Sequence, residues 1–185
     1  MYHFYFDASA LVKRYTEEIG SDKVDYLFVN APLNQLKCLT LGAAEVFWIC
    51  VRKKNDGRIT PYEFTHAVTN LNREVISDAS NFRTDSVPDA LVWASLNLVE
   101  TYSLNSVDAI VLRSALETVT ELRRTDDTMI LVASDQRLLR AASSEGLLVF
   151  NPVSREAVYP SLLRHNPNCG NWFSFVSIVN QETGV

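Results

Sequence analysis

Short apolar runs alternate with helix-forming segments along most of this chain, and this alternation constrains the fold more than any other feature. The runs predict strands at residues 2–6, 36–41, 129–133 and 147–150, with a shorter edge strand near residues 81–84. Continuous apolar strands separated by helices are typical of a parallel sheet that is covered on both faces. The sequence therefore predicts an α/β fold over residues 1–152, a three-layer α/β/α domain with a central, mainly parallel sheet.

Helix signals separate the predicted strands. Thr60, Pro61 and Glu63 form the sequence of a capping box with proline at the first helical position. Ser21 and Ser106 are expected to cap two further helices. The predicted helices cover residues 7–15, 21–30, 42–54, 61–77, 86–102, 106–124 and 135–144.

The last part of the chain, residues 153–185, is predicted to be a C-terminal extension. Residues 166–180 are uncharged and contain Trp172, Phe173 and Phe175. Apolar aromatic side chains favour burial. We therefore expect the extension to dock on the domain or in an oligomer interface.

Composition excludes several classes of protein. With 17 basic and 22 acidic residues the net charge is −5, so the chain lacks the overall basic character of many nucleic-acid-binding domains. No apolar run reaches the ~18 residues that a membrane span needs. The N-terminus also lacks the features of a secretory signal. The three cysteines include no CxxC pair, so a cytoplasmic protein without disulfides or membrane association is expected.

Four acidic residues are predicted to meet at one edge of the sheet. Asp7 and Asp135 follow strands, whereas Glu45 and Asp108 lie near the starts of helices. In such a sheet, helix starts and strand ends share the carboxyl edge, where ligands bind. Apolar residues three and four positions after each acid indicate that each carboxylate points toward the core.

Four carboxylates at one partly buried edge would repel one another, and a cation would relieve that repulsion. An oxygen-only donor set favours Mg²⁺ or Mn²⁺ over zinc. Phosphodiester or phosphoryl transfer is the chemistry best matched to such a site. The alternative for Asp7, Asp108 and Asp135 is a role as helix caps. Glu45 is harder to explain in that way, because apolar residues surround it.

Four short motifs in order resemble those of PIN-domain ribonucleases, in particular the VapC-type toxins. They are Tyr5-Phe6-Asp7-Ala8-Ser9-Ala10-Leu11, Ala43-Ala44-Glu45-Val46, Val107-Asp108-Ala109-Ile110 and Ala133-Ser134-Asp135-Gln136-Arg137-Leu138-Leu139. The resemblance implies a PIN-like fold and an Mg²⁺- or Mn²⁺-dependent endoribonuclease that hydrolyses RNA through a metal-activated water. It implies that Asp7, Glu45, Asp108 and Asp135 form the catalytic, metal-binding quartet. It further implies an RNA substrate, a homodimer and a cognate antitoxin.

Other residues are assigned supporting roles. Ser9 matches the family's small polar residue near the metal, although a capping role is equally consistent with its position. Ser134 stands beside Ala133, where many relatives have Ser or Thr. Candidate RNA contacts are Lys13, Arg14, Arg113 and Arg137.

Trp48 and Trp93 are expected in the core rather than as base-stacking platforms. Two other functions stay open. One is a catalytically weak or inactive PIN-like interaction module that uses the aromatic extension. The other is a metal-dependent phosphatase, which is disfavoured because Ser9 stands where aspartyl-phosphate enzymes need a second Asp.

Overall fold

A computed structural model describes residues 1–154, of which Met1–Val153 form one compact unit. Its five strands are β1 (Tyr2–Phe6), β2 (Leu36–Leu39), β3 (Arg83–Asp85), β4 (Thr128–Val132) and β5 (Leu148–Phe150). They form one sheet in the order β3-β2-β1-β4-β5, and every neighbouring pair is parallel. The predicted α/β/α fold with a central parallel sheet is confirmed. The extension and its expected docking lie outside the described residues.

Seven α-helices connect and cover these strands in the described part of the chain. They are α1 (Ala8–Leu11), α2 (Ser21–Asn30), α3 (Thr40–Asn55), α4 (Pro61–Leu71), α5 (Asp89–Tyr102), α6 (Ser106–Leu122) and α7 (Gln136–Ser144). A 3₁₀ turn, Val12–Arg14, extends α1, and a π-helical segment, Asn72–Ile76, extends α4. None of the helices in residues 1–154 has the length and apolar character that a membrane span requires.

Both faces of the sheet are buried, as the continuous apolar strands predict. The rings of Phe6, Phe28 and Phe82 pack together on one face, with centroids 5.6–6.4 Å apart. Tyr5 points to the opposite face, where it joins the core formed with α5, α6 and α7. Its hydroxyl donates a 2.8 Å hydrogen bond to Ser114 Oγ. The two layers of helices thus hold the strand ends in fixed positions.

Helix caps follow the sequence prediction at one site and depart from it at two. Thr60 and Glu63 form the predicted capping box at α4. The cap of α6 is Asn105 rather than Ser106, because the Asn105 side chain accepts a hydrogen bond from the Asp108 amide. The cap position of α2 is Gly20 in a left-handed conformation, while Ser21 Oγ accepts from Glu18 N.

The prediction that Trp48 and Trp93 lie in the core is wrong. Trp48 on α3 is 54% exposed and Trp93 on α5 is 66% exposed. Apolar periodicity on a helix cannot distinguish a face that packs on the sheet from one that stays open to solvent. The described cysteines, Cys38 and Cys50, are buried and free.

Candidate active site

Asp7 occupies the centre of the carboxyl edge, directly after the central strand β1. Its side chain is buried, with 5% of the residue exposed. It caps α1 by accepting a 3.0 Å hydrogen bond from Ser9 N, and Ser9 Oγ donates a second, short hydrogen bond to the same carboxylate oxygen. The capping role and a ligand role are compatible here, since the bonds described engage Asp7 Oδ2.

Ser9 forms a hydrogen bond that links the segments following β1 and β4. Its Oγ accepts a 2.9 Å hydrogen bond from the backbone N–H of Ser134, which follows β4. Donation to Asp7 and acceptance from Ser134 fix the direction of the hydroxyl. The Ser134 Oγ is itself buried without a hydrogen-bond partner. A buried polar atom without a partner is costly unless a ligand or water completes it.

The other three acids lie around Asp7 in different settings. Glu45 is half-buried in the second turn of α3, and Asp108 is half-buried in the first turn of α6. Asp108 Oδ2 accepts a 2.8 Å hydrogen bond from Asn105 Nδ2. Asp135 is exposed, which corrects the expectation that it points toward the core. Its Oδ1 turns back to cap α7, accepting from the N–H groups of Arg137 and Leu138.

The four carboxylates interact electrostatically. Burial, followed by the charges of Asp7, Asp135 and Glu45, raises the pKa of Asp108 to about 7, and the charge of Arg137 opposes this rise. Burial also raises the pKa of Asp7, against the hydrogen bonds from Ser9. Burial and then the charge of Asp7 raise the pKa of Glu45. Asp7, Glu45 and Asp135 thus all lie within electrostatic reach of Asp108.

The donor set fits a hard divalent cation. It consists of carboxylate oxygens and the orphaned Ser134 hydroxyl, which suits Mg²⁺ or Mn²⁺ better than a softer metal. Within residues 1–154, however, no three acidic, histidine or cysteine side chains stand close enough together to hold a metal ion. The chemistry of the donors thus suits such a cation, whereas the spacing of the side chains does not form a ligand set.

The candidate RNA contacts separate into engaged and available side chains. Lys13 is buried and its Nζ is 2.8 Å from Glu18 Oε2, so the fold already engages this ammonium group. Arg14 is paired with Asp25 and Glu74.

Two of the candidates are more accessible. Arg113 makes a 3.1 Å pair with Glu117 on the same helix. Arg137 is exposed, donates to Ser103 O over 3.0 Å, and is the candidate whose charge acts on Asp108. It is therefore the best placed of the set to meet a phosphate at the carboxylates.

One positioning residue, Asn105, is not among the sequence predictions. Asn105 holds Asp108 through two reciprocal hydrogen bonds, from its own Nδ2 to Oδ2 and from the Asp108 amide to its Oδ1. The sequence carries a signal for it, because Asn three residues before an acid at a helix start is a strong capping pattern. Serine has a similar preference for the cap, so the local sequence alone does not separate Asn105 from Ser106.

Solved structures with the same fold provide the decisive comparison. A FitAB structure bound to an IR36 DNA fragment aligns with a TM-score of 0.60 and 11% identity, over 84% of this chain and 99% of the solved chain. FitAcB from Neisseria gonorrhoeae aligns with a TM-score of 0.53 and 12% identity, over 80% and 97%. These proteins have PIN domains. The chain has a PIN-like fold.

A third PIN-like structure, PAE2754 from Pyrobaculum aerophilum, aligns with a TM-score of 0.50 and 17% identity, covering 80% of this chain and 88% of the solved one. No protein-family model matches the chain, and neither does any curated protein. At these identities the likeness is one of fold. It confirms the PIN-like architecture that the four sequence motifs indicate.

Asp108 is expected to make the metal-free protein less stable as the pH rises from about 5 to 8. Its pKa of about 7 in the folded state exceeds the usual value near 4 of an unfolded chain. Over this range the unfolded state binds fewer protons, so the free energy of unfolding falls with rising pH. Melting curves in EDTA at about pH 5.5 and pH 8 should show a larger fall in Tm for wild type than for Asp108→Asn. Equal falls would contradict the prediction.

Proposed function

We propose that this chain is an Mg²⁺- or Mn²⁺-dependent endoribonuclease of the VapC toxin type. The observation that carries the proposal is the group of four interacting carboxylates at the carboxyl edge of a PIN-like fold. Such a group is unfavourable on its own, because buried like charges raise one another's pKa. A site that concentrates negative charge in this way is suited to a divalent cation.

Each residue of the site has a proposed task. Asp7, Glu45, Asp108 and Asp135 supply the oxygen ligands, with Ser134 Oγ as a neutral donor beside them. A bound Mg²⁺ or Mn²⁺ would supply Lewis-acid activation of water and stabilise charge developing on a phosphate. Ser9 orients Asp7, and Asn105 orients Asp108.

Arg137 would hold a phosphate of the substrate close to the carboxylates. It replaces the larger set of basic contacts expected from the sequence, because Lys13 and Arg14 are occupied within the fold. A guanidinium can bind phosphate through two parallel hydrogen bonds. Loss of its bond to Ser103 O would release Arg137 for this contact.

The substrate and partners follow from the resemblance of the motifs to VapC-type toxins. We infer a cytoplasmic RNA substrate, a cognate antitoxin and a homodimer. The FitAB structure was solved with a DNA fragment. A test of the nuclease therefore includes both single-stranded RNA and DNA.

The proposed function is tested on wild-type protein by a cleavage assay with and without metal. Fluorophore–quencher oligonucleotides of RNA and DNA and a generic phosphomonoester would each be incubated with Mn²⁺, Mg²⁺ or EDTA. RNA cleavage that requires the metal is the expected result. Cleavage of the phosphomonoester alone would favour the phosphatase alternative. Mn²⁺ titration calorimetry, with and without RNA, that detects no binding in the millimolar range would support an inactive interaction module.

A further inference from the structure

The exposed face of α3 carries aromatic and cationic side chains beside the carboxylates. Trp48 is one turn beyond Glu45 and is 54% exposed. The Arg52 guanidinium lies over the Trp48 ring, with its Cζ 4.8 Å from the centroid. Residues three, four and seven positions apart share a helix face, so Glu45, Trp48 and Arg52 form one line about 10 Å long.

A second aromatic–cation pair lies where α3 meets α4. Phe64 makes an edge contact with Phe47, with ring centroids 6.3 Å apart. Lys54 Nζ lies 4.4 Å from the centroid of Phe64. Helix α3 therefore takes part in two aromatic–cation pairs, in a chain whose net charge is −5.

Arg52 is available for a ligand as well as for the ring. In the described part of the chain no carboxylate pairs with it, whereas Arg14, Arg58, Arg73 and Arg113 each have an acidic partner. Its guanidinium lies over the indole ring of Trp48. Among residues 1–154 its N–H groups have no hydrogen-bond partner, so they can meet a phosphate or a second planar group.

We propose that Trp48 and Arg52 form a base-stacking subsite for single-stranded RNA. The inference rests on the proposed nuclease and locates a nucleotide near the cleaved bond. Unpaired bases stack on aromatic rings and on guanidinium planes, while cations contact the phosphates. The line from Glu45 to Arg52 is about as long as two nucleotides of extended RNA. An RNA strand bound to this face of α3 therefore reaches the carboxylates.

A second copy of the chain fits this surface less well. An interface between copies would bury the Arg52 charge, and that is costly without an acidic partner. Single-stranded RNA supplies a phosphate for the cation and a base for the ring. The charge of Arg52 and the position of the line beside the carboxylates both favour RNA as the occupant.

The test measures binding of a fluorescein-labelled oligouridylate RNA to the full chain by anisotropy, in EDTA so that no metal-dependent cleavage occurs. Trp48→Ala should weaken binding about 5- to 150-fold, the range for loss of one base–aromatic stack. Trp48→Phe should recover part of the affinity because it retains a ring. Trp93→Ala, which removes another exposed tryptophan, is the matched control and should bind as wild type does.

Arg52 is tested separately by Arg52→Lys and Arg52→Ala. Arg52→Lys keeps the charge and loses the planar group, so its affinity should fall while the slope of affinity against salt is unchanged. Arg52→Ala should also reduce that slope by about 0.7, the value for one phosphate contact on a single strand.

Several outcomes would overturn the subsite. Wild-type affinity of Trp48→Ala would do so, and so would absence of RNA binding by wild type. A Trp48→Ala protein that binds weakly because a dimer has dissociated, as seen by sedimentation, would assign the surface to a second copy. The proposed nuclease activity is tested separately. Metal-dependent cleavage that is equal in wild type and Trp48→Ala would support the nuclease and exclude the subsite. RNA binding that depends on Trp48, without any cleavage, would support the subsite and exclude the nuclease.

Discussion

An Asp7→Asn variant is expected to lose metal-dependent RNA cleavage by about 10²- to 10³-fold, the size of effect that loss of one electrostatic stabiliser has in a hydrolytic site. Asp7 is the most deeply buried member of the quartet and lies at its centre. Its charge acts on both Glu45 and Asp108. An amide at this position would leave the cation with one fewer negative ligand.

The same substitution is expected to preserve or increase the stability of the metal-free fold. The Asn side-chain oxygen can still accept the hydrogen bond from Ser9 N that caps α1. Burial raises the pKa of Asp7, so its ionised form is unfavourable in the folded state. Removing that charge removes the penalty. Loss of activity can thus be separated from loss of folding.

Cleavage rates, Mn²⁺ titration calorimetry and melting curves of wild type and Asp7→Asn would check this prediction. Asp22→Asn is the matched control, because it removes one exposed carboxylate from the first turn of α2. The control should cleave RNA and bind Mn²⁺ as wild type does. Unchanged cleavage by Asp7→Asn would exclude the quartet as the catalytic centre.

The strands and the position of the acids could be predicted because their signals are local. The strand Tyr2–Phe6 has the predicted bounds, since a short continuous apolar run that ends at an acid and small residues is typical of a buried strand followed by a helix. The positions of Asp7 and Asp135 follow from the ends of strands, and the position of Asp108 follows from the start of a helix. Parallel topology then brings these points to one edge without further information from the sequence.

The partners of charged side chains could not be predicted, because they depend on distant segments. Arg14 pairs with Glu74, which is sixty residues later in the chain. The exposure of Trp48 depends on which distant segments of the chain pack against α3. The apolar residues that follow Asp135 predict a buried carboxylate, but its side chain instead turns to cap α7. Local patterns locate an element and its faces, while ion pairs and solvent exposure depend on the tertiary arrangement.

A Glu18→Ala variant is expected to lower the free energy of unfolding by about 3 kcal/mol. Glu18 accepts from Lys13 Nζ over 2.8 Å through one oxygen and from Lys53 Nζ through the other. Both lysines are buried, at 6% exposure. Lys53 has one further hydrogen bond, of 2.7 Å, to Thr16 Oγ1. In the described part of the chain no other carboxylate pairs with either lysine, so removal of Glu18 leaves two buried cations without a counter-charge.

The expected loss is at the lower end of the range for breaking a buried ion pair, because the Glu18 side chain is 29% exposed. Water can enter the space that the carboxylate leaves and solvate the two ammonium groups in part. The pair of lysines also lowers the pKa of Glu18 against the effect of burial. Its stabilising contribution is therefore present above the usual pKa of a glutamate, near 4.3, and is lost as the pH falls through the lowered value.

Chemical denaturation of wild type, Glu18→Ala and Glu17→Ala at neutral pH would measure the effect. Glu17 is the matched control, because it is the adjacent glutamate and is exposed. Its loss should change stability by less than about 0.5 kcal/mol, as surface substitutions usually do. Equal stability of the two variants would show that the lysines find other partners or remain hydrated. A large effect at Glu18 alone would establish that this carboxylate joins the segment after α1 to α3, the helices that carry Ser9 and Glu45.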